Sequence, residues 1–129
     1  MLDSRLLEKA RDALARWQRG DLSALEPLLD PTVELLWWEP GDWDCHGPDA
    51  VVALLRDRAR RGGRRAAVEL LEAGADSLIV ARKGTVRSGP ESGTRAGTLV
   101  TFRNGKVVAM RQFRSADEAL EAARKAEAM

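Results

Sequence analysis

The chain has 129 residues, of which 44% are hydrophobic, enough for one domain with its own core. Its 21 Lys and Arg nearly balance 20 Asp and Glu, and the resulting net charge of +1 argues against nucleic-acid binding. There is no apolar run of the roughly 20 residues that a membrane span needs, no signal-peptide stretch near the first residue, and only one cysteine, so we expect a cytoplasmic domain without a disulfide or a membrane partner.

Two helices are predicted at the beginning of the chain. Apolar residues recur on one face of residues 3–19 with a period of 3.6, which is typical of an amphipathic helix. Gly20 is suited to end this helix, and Asp21 is suited to cap the next one. The second helix is short, from about residue 22 to residue 28, because an Asp-Pro pair follows it.

One strand and a third helix follow. Residues 32–38 are rich in β-branched and aromatic side chains and lie between prolines, which predicts a strand. Residues 39–46 are predicted to form a loop. Gly47-Pro48 then opens a helix with an apolar stripe, and Gly62-Gly63 ends it.

The rest of the chain is predicted to be mainly sheet. Asn104-Gly105 lies between two apolar runs, which is a strong signal for a tight hairpin. Ser115 and Glu118 match a capping box that begins an Ala-rich helix reaching about Ala126. The four strands are predicted at residues 65–73, 77–86, 94–103 and 106–114.

This order of elements predicts an α+β fold. Helices come first and the later strands pair as antiparallel hairpins, so the helices are expected to pack on one face of a curved sheet. A sheet that wraps around helices in this way tends to leave a cone-shaped cavity, and cavities of this kind hold ligands. No internal repeat or linker divides residues 1–129.

Several segments, taken in this order, resemble the SnoaL-like branch of the NTF2-like superfamily, which includes ketosteroid isomerases and polyketide cyclases. The matching segments are WQRGD at 17–21, DPTVE at 30–34, HGPDAVVALL at 46–55, the Gly-rich stretch at 87–93, and residues 104–123. The resemblance implies the cone fold and a homodimer formed through the sheet. It does not imply one reaction, because the superfamily includes many chemistries and also proteins that are not enzymes.

The catalytic residues of ketosteroid isomerases are not matched. The family's oxyanion-hole Tyr would fall at Ala13, its general-base Asp at Leu35, and its second oxyanion-hole acid near Gly97. These three positions are not ionisable, and the chain contains no Tyr. Proton abstraction needs a base and donors that hold the enolate, so steroid-isomerase chemistry is not expected here.

His46 is the only histidine and is the natural candidate for proton transfer. Asp44 or Asp42 could orient its ring in a dyad at the mouth of the pocket. The alternative is a loop histidine that bonds to backbone just before a helix. Cys45 is interpreted as a small buried hydrophobe rather than a nucleophile. With one His and one Cys, a zinc site would need several carboxylates, and neither a metal nor a cofactor is expected.

The candidate ligand-binding residues lie on the strands and on the first helix. The resemblance turns Leu35 and Trp37 inward, while Trp43 is a loop Trp that needs an apolar partner. On the later strands, the same alignment turns Arg95, Leu99 and Thr101 of one strand, and Met110, Gln112 and Arg114 of the last strand, toward the cavity. The alternatives are ordinary core packing for the Trp residues and solvated positions at the rim for the Arg residues. The orientation of Arg82 is not decided. Trp17 completes the predicted pocket.

Three functions remain open at this point. The first is a cofactor-free isomerase, dehydratase or cyclase that uses His46. The second is a carrier or sensor that binds an apolar or aromatic small molecule without chemistry. The third is a dimeric scaffold whose pocket is filled by side chains. Binding of a small molecule is placed slightly ahead of turnover.

Overall fold

The computed structural model describes residues 4–37, 44–60, 68–74, 76–82 and 97–128. They form three α-helices and a six-stranded mixed sheet, which confirms the predicted α+β class. None of the helices in these ranges is long and apolar enough to cross a membrane. The elements are α1 (Ser4–Gln18), a 3-10 turn (Glu26–Leu28), β1 (Leu29–Leu36), β2 (Cys45–His46), α2 (Pro48–Arg60), β3 (Val68–Glu72), β4 (Ser77–Arg82), β5 (Gly97–Arg103), β6 (Lys106–Phe113) and α3 (Ala116–Ala128).

The strands are arranged in the order β2-β1-β6-β5-β4-β3. β1 runs parallel to β6, with Leu35 beside Met110, and the other neighbouring strands are antiparallel. A parallel pair needs a long crossover between its strands. Here the chain between β1 and β6 includes α2 and four strands, which is a connection of the required length.

The predicted first helix is confirmed as α1, and its end has a clear cause. Gly20 adopts a φ of 88°, and its N–H donates to the Trp17 carbonyl at 2.8 Å. The N–H of Asp21 donates to the Arg16 carbonyl at 2.9 Å, so the two bonds form a Schellman-type helix end. The predicted second helix is reduced to the 3-10 turn, because Pro27 has no N–H for a further helical bond.

The sheet separates two hydrophobic clusters. We call the side that carries Leu35, Val100 and Met110 the inner face, and α1 and α2 pack against it. We call the side that carries Ile79 and Ala81 the outer face, and α3 packs against it. The prediction that all helices pack on one face is therefore wrong for α3.

Small side chains allow α3 to lie close to the outer face. Ala116, Ala119 and Ala123 are all buried there, at the i, i+3, i+7 spacing of one helical face. Gly97 of β5 is the point of closest approach, because a Cβ built on it would lie 2.8 Å from the Ala116 Cα. Any larger residue at position 97 would therefore meet helix backbone.

The hairpin between β5 and β6 is confirmed but carries a bulge. Asn104 and Gly105 both have positive φ, 54° and 78°, as the predicted tight turn requires. Phe102 pairs with Val107 and Thr101 pairs with Ala109, so Val108 is an extra residue without a partner of its own. A bulge of this kind changes which residues of the two strands share a face.

Candidate functional site

A hollow of about 140 Å³ lies between α1 and the inner face of the sheet. Of its sixteen lining residues, all but Thr98 and Gln112 are apolar. Apolar cavities of roughly 150 Å³ hold a single benzene ring. The lining residues are Ala10, Ala13, Leu14, Trp17, Leu25, Leu28, Leu55, Leu70, Leu78, Val80, Thr98, Val100, Phe102, Val107, Met110 and Gln112.

Trp17 joins α1 to α2 at the edge of this hollow. Its indole N–H donates to the Leu55 carbonyl at 2.8 Å. The polar atom of the indole is therefore satisfied by protein, and the ring supplies an apolar surface to the hollow. This contact also fixes the position of α1 relative to α2.

The two polar lining residues form a pair. Thr98 of β5 lies opposite Gln112 of β6 in the sheet, and the Thr98 hydroxyl donates to the Gln112 Oε1 at 3.0 Å. Both side chains are half-buried. Because both positions belong to adjacent strands, the backbone ladder holds the pair in place in an otherwise apolar wall.

Three of the predicted ligand-binding residues, Trp17, Met110 and Gln112, line the hollow. Leu35 is fully buried on the inner face, which confirms its predicted orientation, and Trp37 packs partly buried against the same cluster. These two residues support the core beside the hollow and are not part of its lining. Trp43 and Arg95 lie outside the described residues.

Leu99 and Thr101 do not face the hollow, and the prediction for their side was wrong. Leu99 packs in the cluster under α3, and strand alternation places Thr101 on the same outer face. In a hairpin without a bulge, Leu99 would pair with Met110 and share its face. Because Val108 shifts the register by one residue, Met110 instead pairs with Val100.

The residues that the prediction missed on β5 are Thr98, Val100 and Phe102, which line the hollow. The alternation of side chains along β5 was the signal for these residues. The prediction assigned the other alternate set, shifted by one residue, to the inner face. Arg114 lies beyond the end of β6 with an exposed side chain and is not among the lining residues.

His46 pairs with a carboxylate, but the partner is not one of the two predicted aspartates. Its Nδ1 lies 2.7 Å from the Glu34 Oε2, because Glu34 and His46 are direct partners between β1 and β2. The predicted partner Asp44 instead accepts a hydrogen bond from the Trp37 N–H at 3.0 Å. Asp42 lies outside the described residues.

The Glu34–His46 pair lies on the side of the sheet away from the hollow. Glu34 alternates with the buried Val33 and Leu35 of β1, so its side chain points to the outer face. The side chains of His46 and Glu34 are 68% and 46% exposed. A dyad at a pocket mouth, as predicted, would need the ring on the inner face.

The positions that correspond to ketosteroid-isomerase catalytic residues divide between the two faces. Ala13 lines the hollow and Leu35 is buried beside it, so both occupy the interior expected from the resemblance. Gly97 lies under α3 on the outer face, while its neighbour Thr98 faces the hollow. The interior positions carry apolar side chains in place of a donor and a base.

Two aspartates with a lowered pKa, Asp21 after the end of α1 and Asp30 at the start of β1, are not among the residues that line the hollow. The backbone N–H and hydroxyl of Thr32 donate to Asp30 at 2.9 and 2.8 Å and lower the pKa of that carboxyl. Hydrogen bonding from Ser23 lowers the pKa of Asp21 in the same way. Among the described residues, no group of three or more His, Cys, Asp and Glu is placed to hold a metal ion.

Comparison with solved structures first defines the class of fold. An NTF2-like protein of unknown function from Mesorhizobium loti is 19% identical, with a TM-score of 0.63 over 88% of this chain and 97% of that one. A SnoaL-like protein of unknown function from Burkholderia thailandensis gives the same values of 19%, 0.63, 88% and 97%. A de novo designed protein with a curved β-sheet matches at 15% identity, with a TM-score of 0.66 over 98% and 99%. These similarities show an NTF2-like fold.

The family follows from the sequence comparison. The model of the SnoaL-like domain matches residues 10–110, and the chain therefore belongs to the SnoaL-like domain family. No curated protein matches the chain. The matched range contains the hollow's lining residues from Ala10 to Met110, while Gln112 lies just beyond it.

Proposed function

We propose that this protein binds a small apolar or aromatic molecule in the hollow on its inner face. The observation that carries the proposal is an apolar lining around about 140 Å³, which is room for roughly one ring. Pockets of this kind are walled by hydrophobic side chains and contain a few polar groups that orient the ligand. A scaffold with a filled pocket would leave no such room.

Binding is favoured over acid-base turnover by the chemistry of the wall. In the described lining, no side chain is ionisable, whereas an isomerase or cyclase needs a group that moves a proton. His46 and Glu34 have the chemistry for that step, but their side chains lie on the outer face. We therefore place the proposed function at the hollow and assign no reaction to this pair.

The experiment uses the methyl group of Met110 as a reporter. Of the chain's three methionines, Met110 is the one within the described residues, and it lines the hollow, so its ¹³C-labelled methyl group gives a signal from the site. Toluene, a one-ring apolar probe, is expected to shift the Met110 signal. Absence of a saturable Met110 shift with toluene or with any other one-ring probe would contradict the proposal.

A matched pair of variants in α1 locates the bound probe. Ala13 is 1% exposed and lines the hollow, whereas Ala15 of the same helix is exposed. Ala13→Leu should fill the hollow and abolish the toluene-induced shift, while Ala15→Leu should retain it. His46→Ala should also retain binding, because His46 lies outside the lining. If binding survives in Ala13→Leu, the ligand occupies another site.

The partner we propose for the outer face is a second copy of this chain. Next to the area where α3 packs, β1 and β6 carry half-buried Leu36 and Ala109 between the acidic Glu34 and the basic Arg111. A two-fold axis brings the same surface patch of both copies together, so Arg111 of one copy can meet Glu34 of the other. The cytoplasmic location stays a sequence prediction.

Charge reversal tests the homodimer. Arg111→Glu should give a monomer by light scattering after gel filtration, and adding Glu34→Arg should restore the dimer by exchanging the two charges. Arg124→Glu, at an exposed position of α3, serves as the control and should remain dimeric. A monomeric wild-type protein would contradict this proposal.

A further inference from the structure

The Thr98–Gln112 pair defines what kind of molecule suits the hollow. In the observed geometry the Thr98 hydroxyl donates to the Gln112 Oε1 at 3.0 Å. The Gln112 amide nitrogen then offers N–H donors, and the Thr98 oxygen offers lone pairs. The pair therefore presents one donor and one acceptor, side by side, at a single place in an apolar wall.

A neutral hydroxyl group is complementary to this arrangement. It can accept from the Gln112 amide and donate to the Thr98 oxygen at the same time. A carboxylate would lose its hydration and gain hydrogen bonds only to neutral groups, which do not compensate for burying a charge. A purely apolar ligand would cover the pair and leave its polar atoms without water.

We propose that the hollow selects compact neutral molecules that carry one hydroxyl group on an apolar body, such as a one-ring phenol or alcohol. This inference rests on the proposed function, since it names the class of ligand for the same site. Thr98 and Gln112 are its specificity-determining residues. Because they are cross-strand partners in β5 and β6, their spacing is set by the sheet and not by a loop.

Probes of equal size and shape separate the contribution of the hydrogen bond to affinity from the contribution of shape. Phenol and toluene have the same size, and phenol is expected to bind about three- to tenfold more tightly to the wild type, the worth of one neutral hydrogen bond. Benzamide and benzoate differ mainly in charge, and benzamide is expected to bind more tightly. Dissociation constants are measured by titration of the Met110 methyl signal.

Isosteric variants assign the preference to the pair. Thr98→Val and Gln112→Met should each reduce the ratio of phenol to toluene affinity to about one, while toluene binding is kept or improved. Thr98→Ser should retain the preference because it retains the hydroxyl. Thr101→Val makes the same change on the outer side of the same strand and should leave the ratio unchanged.

The outcomes distinguish this inference from the proposed function. If toluene binds but phenol binds no more tightly, or if benzoate binds more tightly than benzamide, the inference is wrong and the hollow is still a binding site. The inference is also wrong if the preference survives in both Thr98→Val and Gln112→Met. If no probe shifts the Met110 signal, the proposed function fails and the inference fails with it.

Discussion

The two faces of the sheet are packed in opposite ways, although they share the same strands. On the inner face, large side chains such as Leu35, Phe102 and Trp17 separate the helices from the sheet, and a hollow remains between them. On the outer face, alanines and Gly97 bring α3 into direct contact with the strands. Large side chains keep the helices away from the strands and leave space between them, whereas small side chains allow close contact, so side-chain size decides on which face a hollow remains.

The largest expected effect comes from the solid part of the inner face. Leu35 is 0% exposed and does not line the hollow, so Leu35→Ala should create a new cavity and lower the free energy of unfolding by about 2–5 kcal/mol. Urea denaturation measures this loss. Leu36→Ala, one residue away on the outer face and half-exposed, should cost less. Equal losses would mean that the two faces do not differ as described.

The next comparison inserts the same side chain on each face. Ala119→Leu adds volume where α3 contacts the sheet and should destabilise the protein by about 1–3 kcal/mol. Ala13→Leu adds the same volume beside the hollow and should cost less, because space is available. Thermal unfolding of both variants gives the comparison. The opposite order would show that the hollow collapses when it is empty.

Gly97→Ala tests the closest contact with a single methyl group. The new Cβ would lie 2.8 Å from the Ala116 Cα, which is backbone and cannot rotate away. We expect a loss of about 1–2 kcal/mol, at the lower end of overpacking effects, measured by urea denaturation. Thr101→Val, on the outer face of the same strand, is the control and should stay close to wild type. If Gly97→Ala left the free energy of unfolding unchanged, α3 would be free to shift.

The smallest expected effect is a pH dependence at the exposed Asp30 carboxylate, at the start of β1. Hydrogen bonds from Thr32 lower the pKa of Asp30 from 3.8, so this carboxylate stabilises the fold above that pH and the contribution is lost as the pH falls through the lowered value. The stability difference between wild type and Asp30→Asn should therefore shrink on acidification. Urea denaturation at neutral and at acidic pH measures this difference. Thr101→Val removes no titrating group, and its difference from wild type should be the same under both conditions.

The local elements could be predicted because their signals are local. The apolar stripe of α1, the helix-ending Gly20 and the Asn104-Gly105 turn act within a few residues, and the structure confirms all three. The partner of His46 could not be predicted in this way. Glu34 lies twelve residues before it in the chain, and the pair forms only because β2 adds to the edge of β1.

The site could be predicted only in part, for a related reason. Trp17, Met110 and Gln112 were placed correctly, whereas Leu99 and Thr101 were assigned to the wrong face. The sequence around Val108 has no residue that marks a bulge, since bulges occur with ordinary β-branched residues as well as glycine. The sequence also contains no local signal for the face of the sheet on which α3 packs, because this depends on how closely the α3 alanines can approach Gly97.

Val108 has a consequence for how such a protein can change. Deleting this unpaired residue would leave Thr101 opposite Ala109 and Val100 opposite Met110. The β5 side chains that line the hollow would therefore stay the same. In this architecture, β6 can gain or lose one residue at the bulge while the wall of the hollow is kept, so strand length and cavity lining can evolve separately.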